Sequence, residues 1–510
     1  MQPALEFKGI VKVYPNGLTA NKGVSFTVMN RTIHAVVGEN GAGKTTLMKV
    51  LFGMEGSQEG EILYQGRPLR VRSPLEAIHQ GIGMVHQHFM LAPDLTVVEN
   101  LVLGIEPKTA GLFLDLAAAR REIARVSELY GLSVPIDEKT RNLPVGVRQR
   151  VEILKALYRK VDLLILDEPT AVLTPQETDA LFATLRSLKE NGKTVIFISH
   201  KLKEVLAIAD TVTVMRDGRV VETVKNENLS EQGLARLMVG RDVSFSRIPS
   251  KGTPGATILE ARDITYLDKE NITVLNRVSF QVREGEILGL AGVDGNGQSE
   301  LVEIINGLLE PTAGDILIRG VDVTGDSPRT IRARKLAHIP QDRMRNGVAA
   351  PASVSENLIA DRYFRREFSG VFGRLRTKHI EEHSSGLVRD FAIKTPDTRT
   401  RVVSLSGGNI QKVVVARELS AEPEIVVAAH PTRGIDVGSE EMIHAILAKS
   451  RDRGQGVLLV SADLDEILKL ADRIIVIYNG EIVGRFDSDV AALSAADIGP
   501  YMLGVRRDAH

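Results

Sequence analysis

The chain has 510 residues, more than a single hydrophobic core usually serves, so two or more domains are expected. Its 43% apolar and 25% charged residues are ordinary for a globular protein, and a net charge of -1 argues against an overall electrostatic footprint for nucleic acid. The absence of cysteine excludes disulfide scaffolds, thiolate metal sites and cysteine nucleophiles, and is compatible with a reducing cytosol.

The opening stretch, "MQPALEFKGIVKVYPNG", lacks the basic start and apolar run of a secretory signal. Tyr14 within it suits either a strand aromatic or a ring that stacks on adenine. Next comes the apolar run "IHAVV", then "GENGAGKTT" from Gly38 to Thr46, then the helical pattern "KTTLMKVLF". Strand, glycine-rich turn and helix in that order are the setting of a phosphate-binding P-loop. Gly38, Glu39, Asn40, Gly41, Ala42 and Gly43 would wrap backbone N–H groups around phosphate oxygens, and the helix N-terminus adds partial positive charge. Lys44 would reach the β- and γ-phosphates, Thr45 would ligate Mg²⁺, and Thr46 completes the motif.

Farther along, Gln87 in "GMVHQHF" is anonymous by itself. The helical pattern "QRVEILKALYRK" leads to the buried-strand run "LLILDEPT", which places Asp167 to hold the Mg²⁺ shell and Glu168 to polarise an attacking water. "VIFISH" ends a further strand in His200, which alone suits a packed or solvent-facing histidine as well as a catalytic one. Runs such as "TVIFIS" and "IIVIY" are strand-length, and no run approaches the roughly 20 apolar residues of a membrane span. Any spanning part is expected on another chain.

The chain then repeats itself. "GVSFTV" from Gly23 returns as "RVSFQV" from Arg277, "TVVENL" from Thr96 as "SVSENL" from Ser353, and "IADTVTVMRDGRVV" from Ile208 as "LADRIIVIYNGEIV" from Leu470. The expected organisation is a first domain over 1–245, a Ser/Gly/Pro-rich linker over 246–257, a second domain over 258–504 and a solvated tail over 505–510. β-Branched runs alternating with helical patterns predict an α/β fold, a mostly parallel sheet covered by helices in each half.

These motifs together resemble the nucleotide-binding subunit of ABC transporters, in two tandem copies of a P-loop ATPase domain with a helical subdomain. The deciding piece is "LSGGN", Leu405 to Asn409, similar to the family's LSGGQ signature. The resemblance implies ATP and Mg²⁺ as ligands, with Tyr14 stacking on adenine and Gln87 as the Q-loop glutamine near the metal. Asp167 and Glu168 resemble the Walker B pair and His200 the switch histidine. Ser406, Gly407 and Gly408 resemble the signature residues that close over a γ-phosphate held by the opposite domain.

The copies are unequal. In "GVDGNGQSE" Gln298 stands where Lys44 would be, with Ser299 retained. Ala429 and His430 replace the acidic pair, Ala462 replaces His200, and the first half's signature reads "LPVGVRQ" with Pro144 in place of serine. Because ABC domains pair head to tail, the resemblance implies one active composite site, first-half Walker motifs facing LSGGN, and one degenerate site.

"PTRGIDVGS" and "PQDRMRNG" fit the bacterial simple-sugar importers, and the carboxylate-free "AAHPTRGIDVGS" looks closer to their nucleoside-uptake branch. The implied partners are two permease subunits and, indirectly, an extracytoplasmic solute-binding protein, with the chain peripheral on the cytoplasmic face of the membrane and no nucleic acid. "HFMLAP" and "DRMRNG" are the candidate permease contacts, the former also suiting core packing. The contrasting class is a tandem ABC ATPase acting on ribosomes or nucleic acid. The short linker and lopsided degeneration argue against it.

Overall fold

The computed structural model describes residues 2–508 except 16, 87–88, 110–112, 171–172, 174, 243, 245 and 489, and the Gln87 assignment therefore lies outside the described residues. The chain divides into two compact units, Met1–Val243 and Ser244–His510. The segment expected as a linker is tied to the second: Arg451 donates to the carbonyls of Ile248 and Pro249, and Ile248 N–H to Lys469.

Short apolar strands with every residue buried organise each unit. Strands buried on both faces are what a parallel sheet between helical layers requires. In the first unit the six strands lie in the spatial order Arg219–Lys225, Thr211–Arg216, Ile33–Val37, Thr194–Ile198, Leu163–Asp167, Ile82–Val85. All neighbours are parallel except Arg219–Lys225, which runs antiparallel to Thr211–Arg216. The second unit repeats the arrangement, with Ile287–Ala291 in the place of Ile33–Val37 and Ile425–Ala429 in that of Leu163–Asp167. Parallel strands end at one edge, so the residues after Val37, Asp167 and Ile198 are brought together there.

Each unit also carries a four-stranded antiparallel sheet, beginning with Pro3–Val13 and Thr19–Met29 in the first and with Thr257–Leu267 and Thr273–Arg283 in the second. These strands alternate buried and less buried residues, as a sheet with one face on the core does. Leu5, Phe7 and Phe26 of this sheet pack with Leu47, Met48 and Leu51 of the P-loop helix in one cluster, which seats that helix.

The helical subdomain comprises Val97–Val102, Leu116–Tyr130 and Val145–Tyr158 in the first unit and Val354–Ile359, Thr377–Asp390 and Gly407–Leu419 in the second. The echo between "TVVENL" and "SVSENL" is a shared capping box: Thr96 with Glu99, and Ser353 with Glu356. Among the described residues no helix is long and apolar enough to cross a membrane.

Candidate active site

Strand Ile33–Val37 delivers the chain to a turn that only glycine permits at two points. A Cβ at Gly38 would lie 2.2 Å from the Met215 carbonyl oxygen, and one at Gly43, whose φ is 92°, would lie 2.4 Å from that of Ala20. Ala42 N–H closes the turn on the Glu39 carbonyl at 3.1 Å, and helix Lys44–Leu51 then begins with no side chain capping its N-terminus. N–H groups at a helix start without a side-chain cap suit an anion. Lys44 is buried, and its Nζ donates to the carbonyls of Gly38 at 2.7 Å and Glu39 at 3.0 Å. Asn40 is half-buried and Gly41 exposed at the turn's tip. Tyr14 lies half-buried beyond the first strand, its hydroxyl 3.3 Å from Thr46 Oγ1 and its ring 5.2 Å from Lys12 Nζ.

The strand ends bring the predicted acids to this loop. Thr45 Oγ1 donates to Asp167 Oδ1 at 3.2 Å, and these two hard oxygens suit Mg²⁺. Burial raises the Asp167 carboxyl above the usual range against the opposing Thr45 hydrogen bond. Glu168 turns its backbone into the left-handed region at φ 49°, while its N–H donates to the Ile198 carbonyl at 3.0 Å. Its Oε1 is 3.1 Å from His200 Nδ1. Burial pushes Glu168 upward, but the His200 hydrogen bond with the charges of His200, Lys44 and Lys201 outweighs it, and the carboxyl is held below its ordinary value. An ionised Glu168 accepts only, so His200 donates from Nδ1. Sequence reading missed the support behind this pair: Thr170 and Ser199 both donate to Glu204, which also pairs with Lys201 at 3.0 Å. Thr170 belongs to the quoted "LLILDEPT", but Glu204 carries no motif signal.

The second unit copies the backbone and changes the chemistry. His430 has φ 45°, and its N–H donates to the Val460 carbonyl at 2.8 Å, as Glu168 does to Ile198. Gln298 is buried like Lys44, but it accepts from Asn296 N–H at 3.1 Å and donates to the Val293 carbonyl at 3.0 Å, stitching the loop with a neutral amide. Ser299 Oγ donates to Gln341 Oε1 at 3.3 Å. Asp294, within the loop itself, pairs with Arg433 at 3.0 Å and lies 3.5 Å from His430 Nε2. Burial holds the His430 imidazole below its ordinary value, Asp294 opposing only in part. Gln298, Ser299, Gln341, Ala429 and His430 line a cavity of about 110 Å³. The Asp294–Arg433 pair was not anticipated. Its signal was an acid inside a glycine loop, "GVDGNG".

Ser406 begins helix Gly407–Leu419, and its Oγ accepts from Asn409 Nδ2 at 2.8 Å rather than capping the helix. The glycines that follow sit in close quarters, tighter at Gly408, where Ser439 and Asp436 converge, than at Gly407, where the flexible end of an arginine could give way. A Cβ at Gly407 would meet the Arg343 guanidinium at 2.7 Å, and one at Gly408 would meet Ser439 Oγ at 2.5 Å. Arg343 in turn donates to the carbonyls of Arg433 at 2.6 Å and Gly434 at 3.2 Å. "DRMRNG" thus sends Arg343 inward onto the turn after Ile425–Ala429, while Met344 stays exposed, as Met90 does in the first unit. Pro144 in the first unit begins helix Val145–Tyr158 with no side-chain hydrogen-bonding group to offer.

The model of the ABC transporter family matches residues 21–171 and again 275–433. A glucose import ATP-binding protein of Haloferax volcanii is 45% identical, over 94% of this chain and 92% of its own. A nucleoside import ATP-binding protein of Lactococcus lactis is 43% identical, over 95% of each chain. A guanosine import ATP-binding protein of Bacillus subtilis is also 43% identical, over 95% of this chain and 94% of its own.

Proposed function

The chain belongs to the ABC transporter family, and from that premise we propose that it is the ATP-hydrolysing subunit of an importer for nucleosides or simple sugars. Of those three relatives one is an import ATP-binding protein for a sugar and two are for nucleosides, and others named for xylose and ribose import are 40% and 39% identical. The carboxylate-free "AAHPTRGIDVGS" favours the nucleoside branch. The subunit would sit on the cytoplasmic face of the membrane beneath a pair of permeases, fed by an extracytoplasmic binding protein. The segments after Gln87 and Gln341 are proposed as contacts with those permeases. A role on ribosomes or nucleic acid finds no support in these relatives.

In this reading the phosphates of ATP lie in the loop of residues 38–43, and Lys44 leaves two loop carbonyls to contact the β- and γ-phosphates. Thr45 and Asp167 would hold Mg²⁺, with Gln87, and the ion would neutralise charge on the transferred phosphoryl group. Glu168 polarises the attacking water. Its depressed pKa suits an orienting acceptor better than a lasting proton store, and His200 fixes its direction. Ser406, Gly407 and Gly408 of the second half close over the γ-phosphate from the other side. The observation that carries the proposal is the Glu168–His200 pair beside Lys44, set against His430 and Ala462 in the other half.

The degenerate site keeps its glycines and Ser299, and so the means to bind nucleotide. Losing the lysine contact gives up roughly 1.5–3 kcal/mol, and losing the water-polarising carboxylate costs on the order of 10²–10⁴ in rate. The test is ATP turnover by the reconstituted complex, assayed with its binding protein and with nucleosides or pentoses. Glu168→Gln should lower turnover by about 10²–10⁴-fold, and His430→Ala should leave it within about twofold. Substantial activity in Glu168→Gln refutes the assignment.

A further inference from the structure

The larger of the two cavities described lies at neither P-loop. It is a shallow hollow of about 410 Å³ lined by Leu375, Arg376, Thr377, Lys378, His379 and Glu382, in the helical subdomain of the second unit. It adjoins an unusual hairpin between helices Val354–Ile359 and Thr377–Asp390. The hairpin's base is firmly held. Phe368 is buried against His379 and His383, Arg376 N–H donates to the Phe368 carbonyl at 2.8 Å, and buried Arg362 pairs with Asp361 and bonds Ser420 Oγ.

The tip is the reverse. Phe372 is 103% exposed and sits at φ 64°, a conformation a bulky residue adopts only under constraint. Leu375 beside it is exposed too, and so, at the hairpin's start, are Tyr363 and Phe364, the latter under the Arg329 guanidinium at 4.9 Å. Interleaved with them are Arg365, Arg366, Arg374, Arg376 and Lys378, all exposed, against Glu367, which lies 3.9 Å from Arg365; exposed Glu381 and Glu382 follow one turn on. The first unit has a hairpin at the same place, Lys108–Thr109 paired with Phe113–Leu114, that also exposes Phe113 and Leu114. There the described neighbours Glu106, Lys108 and Asp115 carry no basic excess.

Resting on the reading of the chain as a membrane-associated import subunit, we propose that the 363–379 hairpin is a lipid-binding element whose aromatic and arginine side chains dock on the anionic headgroups of the bilayer surface. Amphipathic aromatic and Arg/Lys side chains are the residues that anchor at this interface, apolar body toward the acyl boundary and charge toward phosphate. Charge complementarity selects lipid over the permease. Cytoplasmic loops of membrane proteins carry an excess of Lys and Arg, which would repel this hairpin, whereas the cytoplasmic leaflet is negative. The hollow where the hairpin returns to its helix gives a headgroup phosphate basic walls in Arg376 and Lys378, with Glu382 the one acid in its lining.

The test is cosedimentation of the full chain with phosphatidylcholine vesicles, with and without phosphatidylglycerol, at low and high salt. Binding is expected only to the anionic vesicles and should be lost in salt. Each basic residue removed should weaken partitioning about fivefold, so the combined Arg374→Ala, Arg376→Ala and Lys378→Ala variant should bind on the order of 100-fold less. Phe372→Ser should also bind more weakly, while Phe113→Ser should not. Equal binding to neutral vesicles, unchanged binding by the triple variant, or no vesicle binding coupled with loss of permease assembly in detergent would each overturn the proposal. ATP turnover by the reconstituted complex of the same variants keeps the two readings apart. A chain that ignores anionic vesicles, while its reconstituted complex hydrolyses ATP, removes the lipid contact alone; one that binds them, while its reconstituted complex shows no turnover, removes the ATPase assignment alone.

Discussion

The loops that follow Ile33–Val37 and Ile287–Ala291 share one backbone and differ in what their buried polar side chain does. Lys44 brings a full charge to two neutral carbonyls, which under the proposed function it would exchange for phosphate. Gln298 uses an acceptor and a donor on the same loop and has no charge left to offer. The difference separates two requirements that a working P-loop merges. A buried hydrogen-bonding group at the helix start keeps the turn folded, and only its charge serves the chemistry. The strand ends repeat the lesson: Glu168 and His430 occupy one left-handed geometry, yet only Glu168 has a histidine to orient it.

That comparison can be broken at the strand beneath each loop. His34, buried in Ile33–Val37, corresponds to Leu288 in the second unit, and burial lowers its pKa to about 4. Its folded value lies below its unfolded one, so between about pH 6.5 and 4 the unfolded chain binds the extra proton and stability falls with falling pH. The loss should reach about 3 kcal/mol for the first unit. His34→Leu, which copies the second unit, should remove that share, as read by pulse proteolysis of the full chain in urea at neutral and acid pH. The second unit has its own histidine lowered to about 4, His338, placed on an edge strand away from Ile287–Ala291.

A second test moves the amide across. Lys44→Gln should leave the first loop folded, because glutamine makes there the two bonds that Gln298 makes, while nucleotide affinity drops by roughly 10–100-fold. Equilibrium binding of a fluorescent ATP analogue, beside the thermal unfolding midpoint, reads both effects. A variant that unfolds would refute the separation of roles.

The smallest expected effect concerns Arg343, whose guanidinium spans the Arg433–Gly434 turn and crowds Gly407. Under the proposed function it would position the LSGGN helix for its contact with ATP. Arg343→Ala should therefore lower kcat about tenfold without changing nucleotide affinity at the Lys44 loop, and Arg343→Lys should recover part of it. Affinity and kcat falling together would show a merely structural residue.

Much of this was legible from residues alone, because a P-loop is a local grammar: strand, glycines, lysine and helix are contiguous between Ile33 and Leu51. The duplicated echoes were legible for the same reason and include paired capping boxes and a matching pair of hydrogen bonds, from Ala92 N–H to Asn100 Oδ1 and from Ala349 N–H to Asn357 Oδ1. The antiparallel sheets lie outside the expectation of a mostly parallel sheet, since no local signal says which strands Pro3–Val13 and Thr19–Met29 pair with. Contacts of high sequence separation were beyond reach. Nothing local ties Asp294 to Arg433, Thr170 to Glu204, or Arg343 to the turn after Ile425–Ala429. Nor does hydrophobicity alone reveal that Phe372 is displayed while Phe368 is buried.

The most direct measurement of the central claim, one hydrolytic site per tandem chain, is to photolabel the turning-over complex with an azido-ATP analogue and cleave the chain between its units. The nucleotide on each half is then identified. The account predicts diphosphate on the half carrying Lys44 and, on the half carrying Gln298, uncleaved triphosphate or none. Diphosphate on the Gln298 half with intact triphosphate on the Lys44 half would contradict it.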